Sequence, residues 1–520
     1  MLKYNLRSEP ASLHRIVHRI VVKLNNSWLI KHLSKHAGFI TLCIRYLVAR
    51  QPGSAQAKPI ELIMKAFVLI VFFLVSHPLI SQKYEANWTS IDSRPIPTWF
   101  EDSKFGIFIH WGVFSVPAWG PLPSDGASIY QCYAEWYWWR LKNQEEEAHK
   151  FFSDFHNKTY GEKFQYQDFV HDFKAEMFDP AMWASLFEKS GAKYVVLTSK
   201  HHEGFTLWPS AQSWNWNSVD AGPHRDLAGD LTKAVKSKGL KMGFYYSLYE
   251  WFNPLYKKDV NQYVDNHMIP QMKDLVTRYD PDIVWTDGEW DHPSSVWKST
   301  EFLAWLYNES KVKDHVVVND RWGKETRSVH GGIYTTEYDM VHDQSSVGKS
   351  IAHPWEECRG IGSSFGYNRN ESLSDYATST QLIHILIDKV ARGGNLLLNI
   401  GPTADGRIPV IMQQRLMDMG EWLKVNGEAI YGTREWKGST AKKAATMFYT
   451  AKGKDLYVIF TEFPKSQVTI EGIAQPTKVD LLGFKGTIKT SGKSFTPPTM
   501  TPETTPCDHA WVFKLTNALK

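Results

Sequence analysis

Asp287 stands in the stretch DIVWTDGEW (residues 282–290), directly after a short run, 283–286, that reads as a buried strand. Other chemically useful side chains close comparable runs. FIHWG supplies His110 and Trp111, SKHHEG supplies His201 and His202, and GFYYS supplies Tyr245 and Tyr246. NDRWG supplies Arg321, PWEEC supplies Glu356, and the nearby CYAEWYWW adds Tyr133, Glu135 and Trp136. Taken singly, each has a plain reading: a histidine at a strand end is usually a hydrogen-bonded structural residue, and Asp-Gly is an ordinary turn. Taken together, carboxylates, imidazoles, a guanidinium and aromatic rings converge on one pocket if the runs are neighbouring strands.

Two chemistries could use that set. Metal-assisted hydrolysis needs His and Asp ligands on one side of a site. The pattern disfavours it, because the first run offers a single His and adjacent residues such as His201 and His202 point to opposite strand faces unless a bulge or loop intervenes. Glycoside hydrolysis needs one carboxylate to attack the anomeric carbon and a second carboxyl to protonate the leaving oxygen. His and Arg would grip hydroxyls, and the 22 Trp and 23 Tyr can supply ring faces for the C–H side of a sugar.

The elements that must position these groups alternate strand and helix. In DPAMWASLFEKSG, Asp179 suits an N-cap, Pro180 the first helical position and Gly191 the exit. DLAGDLTKAVKSKG places Leu227, Leu231, Ala234 and Val235 on one face. Strands are expected at 105–109, 194–198, 243–247, 283–286, 316–318, 333–336, near Trp355 and at 396–400. Eight such units predict an α/β fold, a (β/α)8-like barrel over 83–430, with its catalytic mouth at the strands' C-terminal ends. No helical pattern separates two of the expected strands within 327–357, so the barrel should be distorted there. From 431 to 520 short β-branched and aromatic runs, such as DLYVIF and AWVFKL, predict an antiparallel β-sandwich.

Charge divides the chain of 520 residues. Residues 1–82 hold 11 Lys and Arg against 2 Asp and Glu, a net of +9, so the remainder carries −5 of the total +4. A slightly acidic folded part argues against a nucleic-acid partner. MKAFVLIVFFLVSHPLISQ has the layout of a secretory signal peptide (64–82), too short in its apolar run to span a membrane, and 1–63 reads as a basic leader outside the mature protein. No membrane span is expected in the mature chain. Secretory routing agrees with sequons at Asn87, Asn157, Asn308 and Asn370. Beyond the leader only Cys132, Cys358 and Cys507 remain, which excludes a dense disulfide framework.

The blocks WFEDSKFGIFIHWG, YAEWY, SKHHEGF, GFYYSLYEW, WTDGEW, NDRWG, PWEECRGIGSSFGYN and GGNLLLNIGPTADG occur in one order from about Tyr84 onward. In this the sequence resembles the α-L-fucosidases of glycoside hydrolase family 29, closest to the animal tissue type. The resemblance implies exo-acting, retaining removal of terminal α-L-fucose from glycoproteins, glycolipids or oligosaccharides, with Asp287 as nucleophile and Glu356 as acid/base. It implies substrate contacts from His110, Tyr133, Glu135, Trp136, His201, His202, Tyr246, Trp285 and Arg321. No cofactor and no metal is expected, the partners are fucosylated glycans, and the destination is the lysosome or the exterior. A homo-oligomer is among the assemblies allowed. The rivals are a catalytically silent fucose-binding protein, whose mark would be a lost carboxylate, and a hydrolase of a different sugar.

Overall fold

Eight of the apolar runs become eight parallel strands. They are β1 (Phe105–Ile109), β2 (Tyr194–Lys200), β3 (Lys241–Ser247), β4 (Ile283–Asp287), β5 (Val317–Val318), β6 (Tyr334–Glu337), β7 (Trp355–Gly360) and β8 (Asn395–Ile400). The computed structural model describes residues 83–338, 353–438 and 446–520, so the expected leader and signal peptide lie outside the described residues. The strands form one curled sheet in the order β5-β4-β3-β2-β1-β8-β7-β6. A parallel bridge between Asn319 and Ile333 joins its two ends. All residues of β1, β2, β4 and β8 are buried, as both faces of a barrel strand must be.

Helices cover the outside: α1 (Pro180–Lys189), α2 (Leu227–Ser237), α3 (Ile269–Tyr279), α4 (Ser299–Asn308), α5 (Ser379–Ala391) and α6 (Val410–Asn426). Local chemistry sets their ends. The Asp179 side chain accepts from the backbone N–H groups of Ala181 and Met182, with Pro180 at the first position, and Gly191 leaves at φ 86°. Asp226 caps α2 through the N–H of Gly229. Between β5 and β6 there is no helix. The chain passes through a loop, whose start is tied to β4: Asn319 accepts from the Thr286 N–H at 3.1 Å and donates to its carbonyl at 2.7 Å. The distortion expected within 327–357 concerns the connection from β6 to β7, most of which (339–352) lies outside the described residues.

The interior of the barrel holds its own apolar cluster, including Phe108, Tyr194, Trp285, Cys358 and Leu397. Alternate residues of the same strands face the helix layer.

The C-terminal part is antiparallel throughout. Its strands are β9 (Arg434–Glu435), β10 (Met447–Lys452), β11 (Asp455–Phe460), β12 (Val468–Thr469), β13 (Lys478–Leu481), β14 (Lys489–Ser491), β15 (Ser494–Thr496) and β16 (Trp511–Thr516). A five-stranded sheet, β13-β16-β11-β10-β9, faces a three-stranded one, β12-β15-β14. Val458 and Phe513 pack with Ile470 and Phe495 between them. The larger sheet docks on the barrel's helices, where the Trp422 indole N–H donates to the Ala510 carbonyl at 2.9 Å. Among the described residues, no helix is long and apolar enough to cross a membrane.

Candidate active site

A cavity of about 290 Å³ opens at the C-terminal ends of the barrel strands. Its floor comes from residues one pair below the rim: Phe108, Tyr245, Trp285 and Cys358. At the rim stand His110, His201, His202 and Asp287. Loops add Tyr133, Glu135, Trp136, Arg321 and Phe365.

Asp287 is the last residue of β4, and the chain turns away at Gly288 with φ 72°. A side chain there would meet Tyr249 Cβ at 2.7 Å, so the turn that presents the carboxylate requires glycine. Each carboxylate oxygen has its own partners. Oδ1 accepts from Arg321 Nη1 at 2.8 Å with Arg327 Nη2 at 3.6 Å, and Oδ2 accepts from the Tyr245 hydroxyl at 2.9 Å. Burial works against the charge, but Arg321, supported by Arg327, overrides it and holds the group well below the ordinary carboxylate range.

The histidines are fixed in their tautomers by neighbours. Asn399 donates its amide N–H to the Phe365 carbonyl, so its Oδ1 accepts from His110 Nδ1 at 2.7 Å. Ser247 gives its proton to the Tyr249 carbonyl, so its Oγ accepts from His202 Nδ1 at 2.6 Å. Both rings therefore turn a bare Nε2 away from these partners. Burial, and then the His201 ring beside it, lowers His110 to about 3, and burial drives His202 well down, so both stay neutral. Glu135 accepts from the Gly366 N–H at 2.8 Å, and burial pushes its carboxyl up.

Two expectations meet corrections here. Tyr246 does not reach the cavity. Successive strand residues face opposite sides, and Tyr246 packs in the outer cluster with its hydroxyl donating to Gln271 at 2.8 Å. Tyr245 takes the inward position. Glu356 is 1% exposed and does not line the cavity. It is the second residue of β7, paired with Asn395 at the start of β8, and Cys358 stands between it and the mouth. The Tyr194 hydroxyl and the Trp285 indole N–H bind its two oxygens. Burial, partly offset by those bonds, raises it to about 7, but a proton donor must first be within reach of substrate. Glu357 faces outward to Lys389 of α5 at 2.8 Å.

Besides Asp287 and Glu135, the cavity holds a third carboxyl, Glu337, at the end of β6 and 2.6 Å from Arg321 Nη2. Its signal is present in the sequence: it directly follows the expected strand 333–336, one of two expected strands, with 396–400, whose ends contribute nothing to the expected site. Arg327 also lines the cavity, gripped through Nε by the buried Glu289. Among the described residues, no cluster of three or more His, Cys, Asp or Glu is arranged to hold a metal ion. Of the sequons, Asn87 and Asn157 are exposed, whereas Asn308 spends both amide hydrogens on the carbonyls of Tyr84 and Ala304. Asn370 is half-buried, its amide on the Gly120 carbonyl.

A family model described as Alpha-L-fucosidase matches residues 71–428. The chain belongs to the α-L-fucosidase family. It is a glycosidase, and relatives resemble it along most of their length. The human tissue α-L-fucosidase is 44% identical over 87% of this chain and 97% of that one. An α-L-fucosidase of Dictyostelium discoideum is 47% identical over 81% and 91%. A Thermotoga maritima α-fucosidase solved with a mechanism-based inhibitor superposes with a TM-score of 0.70 at 36% identity, covering 84% of this chain and 100% of that one.

Proposed function

We propose that this α-L-fucosidase is exo-acting and retaining, with Asp287 attacking the anomeric carbon and Glu337, not Glu356, serving as acid and then base. The observation that carries this reading is Arg321, whose two terminal nitrogens meet Asp287 and Glu337, two carboxylates of the same cavity. One guanidinium cannot neutralise both. Arg327 adds positive charge on the Asp287 side, which favours Asp287 as the anionic nucleophile.

In the first step an Asp287 oxygen bonds to C1 as the C1–O bond to the aglycone breaks, and Glu337 gives its proton to the departing oxygen. Asp287 is then a neutral ester, which leaves Arg321 to the Glu337 carboxylate. Glu337 next takes a proton from water as the water oxygen bonds to C1 and Asp287 departs as carboxylate. The neutral His110 and His202 suit hydroxyl donors, Glu135 can accept another, and Tyr133, Trp136 and His201 complete the enclosure. Phe108, Trp285 and Phe365 offer an apolar wall for the 6-methyl group that distinguishes fucose. A cavity this small holds one terminal sugar. Its substrates are fucosylated glycoproteins, glycolipids or oligosaccharides, met in the lysosome or outside the cell after secretory transport.

The test is trapping with a 2-fluoro-fucosyl donor together with leaving-group kinetics. Label on Asp287 is expected. Glu337→Ala should slow glycan cleavage about 100-fold or more while sparing activated aryl fucosides. Label on another residue, or leaving-group sensitivity at Glu356→Ala instead, would sink the assignment.

A further inference from the structure

Two of the rings that line the cavity stand apart. Tyr130 and Trp290 are 42% and 38% exposed, against 1% for Tyr245 and Trp285. Large aromatic faces left to water at a cavity mouth mark a place where something else covers them.

Both rings are fixed in place. The buried Arg140 guanidinium donates to the carbonyl of Tyr130, to that of Gln131 at 2.7 Å and to that of Tyr133 at 3.1 Å. Three carbonyls on one cation set the backbone under the Tyr130 ring, which also meets Tyr133 edge-on at 5.8 Å. On the other side, the Trp297 indole N–H donates to the Glu289 carbonyl at 3.1 Å, one residue before Trp290. The Trp290 ring then rests against His202 at 5.3 Å and Trp136 at 5.9 Å. Rings held this way lose little freedom when a ligand stacks on them.

The direction of approach is also set. Tyr130 and Glu337 line the same cavity. Glu337 is the group that protonates the glycosidic oxygen in the mechanism proposed above, so the aglycone departs on the Tyr130 side.

We infer that Tyr130 and Trp290 form an aglycone subsite, a platform for the sugar residue that carries the fucose, taken as a pyranoside through its C–H face. This rests on the function proposed above. An aglycone without a ring, such as a serine or threonine side chain, presents nothing to stack there.

The experiment compares α-L-fucosyl fluoride, which has no aglycone, with the faster of 2′-fucosyllactose and fucosyl-α1,6-N-acetylglucosamine. The readout is the ratio of kcat/KM for the oligosaccharide to kcat/KM for the fluoride. Tyr130→Ala and Trp290→Ala should each lower that ratio about 3–10-fold, while Tyr130→Phe and Trp290→Phe, which keep a ring, hold it within about twofold. A ratio that stays put in both alanine variants, whether both rates fall together or neither falls, overturns the platform. Wild-type protein that cleaves neither probe overturns the proposed function itself.

Discussion

Glu289 grips Arg327 through its Nε from a fully buried position, and that grip aims the far nitrogen of the guanidinium at Asp287, 3.6 Å from Oδ1. The cation matters most when Asp287 must leave as a carboxylate, because charge returns to Oδ1 at that point. Arg327→Gln should therefore slow breakdown of the fucosyl-enzyme more than its formation. With an activated aryl fucoside, kcat and KM should fall together and a burst of released phenol should appear. A raised KM without a burst would show that Arg327 serves binding instead.

Glu356 gives a pH test of the interior. Its folded-state value, about 7, lies above the unfolded value, so the folded protein keeps a proton that the unfolded chain has lost across the interval between them. Stability from this group thus declines as pH rises from about 4.3 to 7. Glu356→Gln is neutral at every pH and can still accept from Trp285. It should match wild type near pH 4 and exceed it by about 3 kcal/mol above pH 7, read from urea melts at both pH values. A difference independent of pH would mean that the buried carboxyl is ionised.

The two adjacent tyrosines of β3 separate cleanly. Tyr245→Phe removes the hydroxyl that binds Asp287 Oδ2 and should cost about 10–100-fold in kcat/KM, the worth of a hydrogen bond to a charged group. Tyr246→Phe removes a bond to Gln271 in the helix layer. Its effect should be about 1 kcal/mol of stability, seen as a lower melting temperature, with kcat/KM held within about twofold.

Glycan occupancy follows accessibility. Peptide mapping of secreted protein should find carbohydrate at Asn87 and Asn157. Asn308, whose amide hydrogens bind Tyr84 and Ala304, should be bare. Carbohydrate on Asn308 would require the Tyr84 segment to leave α4.

Much of this architecture could be read in advance, and the failures have physical causes. Runs such as KYVVL are buried on both faces, so their strand character is unambiguous, and the Asp179, Pro180 and Gly191 signals of α1 act through local chemistry alone. Asp287 was legible because it ends an apolar run and the turn glycine follows. The pair Tyr245 and Tyr246 hid strand parity, because identical neighbours give no hint of which faces in. Glu356 misled because β7 continues to Gly360, so its acids lie at the start of a strand and not at its mouth. Glu337 is hard to read because β6 is short, partly exposed and lacks a preceding helix to announce it. Arg327 sits in a loop whose course depends on Glu289, 38 residues away.

The joint between β5 and β6 has a bearing on how the enzyme ages under heat. Backbone pairing there is thin, and Arg321 crosses it, its Nε donating to Thr335 at 2.9 Å while Thr335 binds Asp320. The fastening that closes the barrel and the clamp that spaces Asp287 from Glu337 are thus one object. The joint rests on one backbone bridge and side-chain hydrogen bonds where the other strand pairs have backbone ladders, so it can part well below the temperature that melts the core. Catalysis should then fade on warming while far-ultraviolet dichroism still shows an intact fold, and return on cooling.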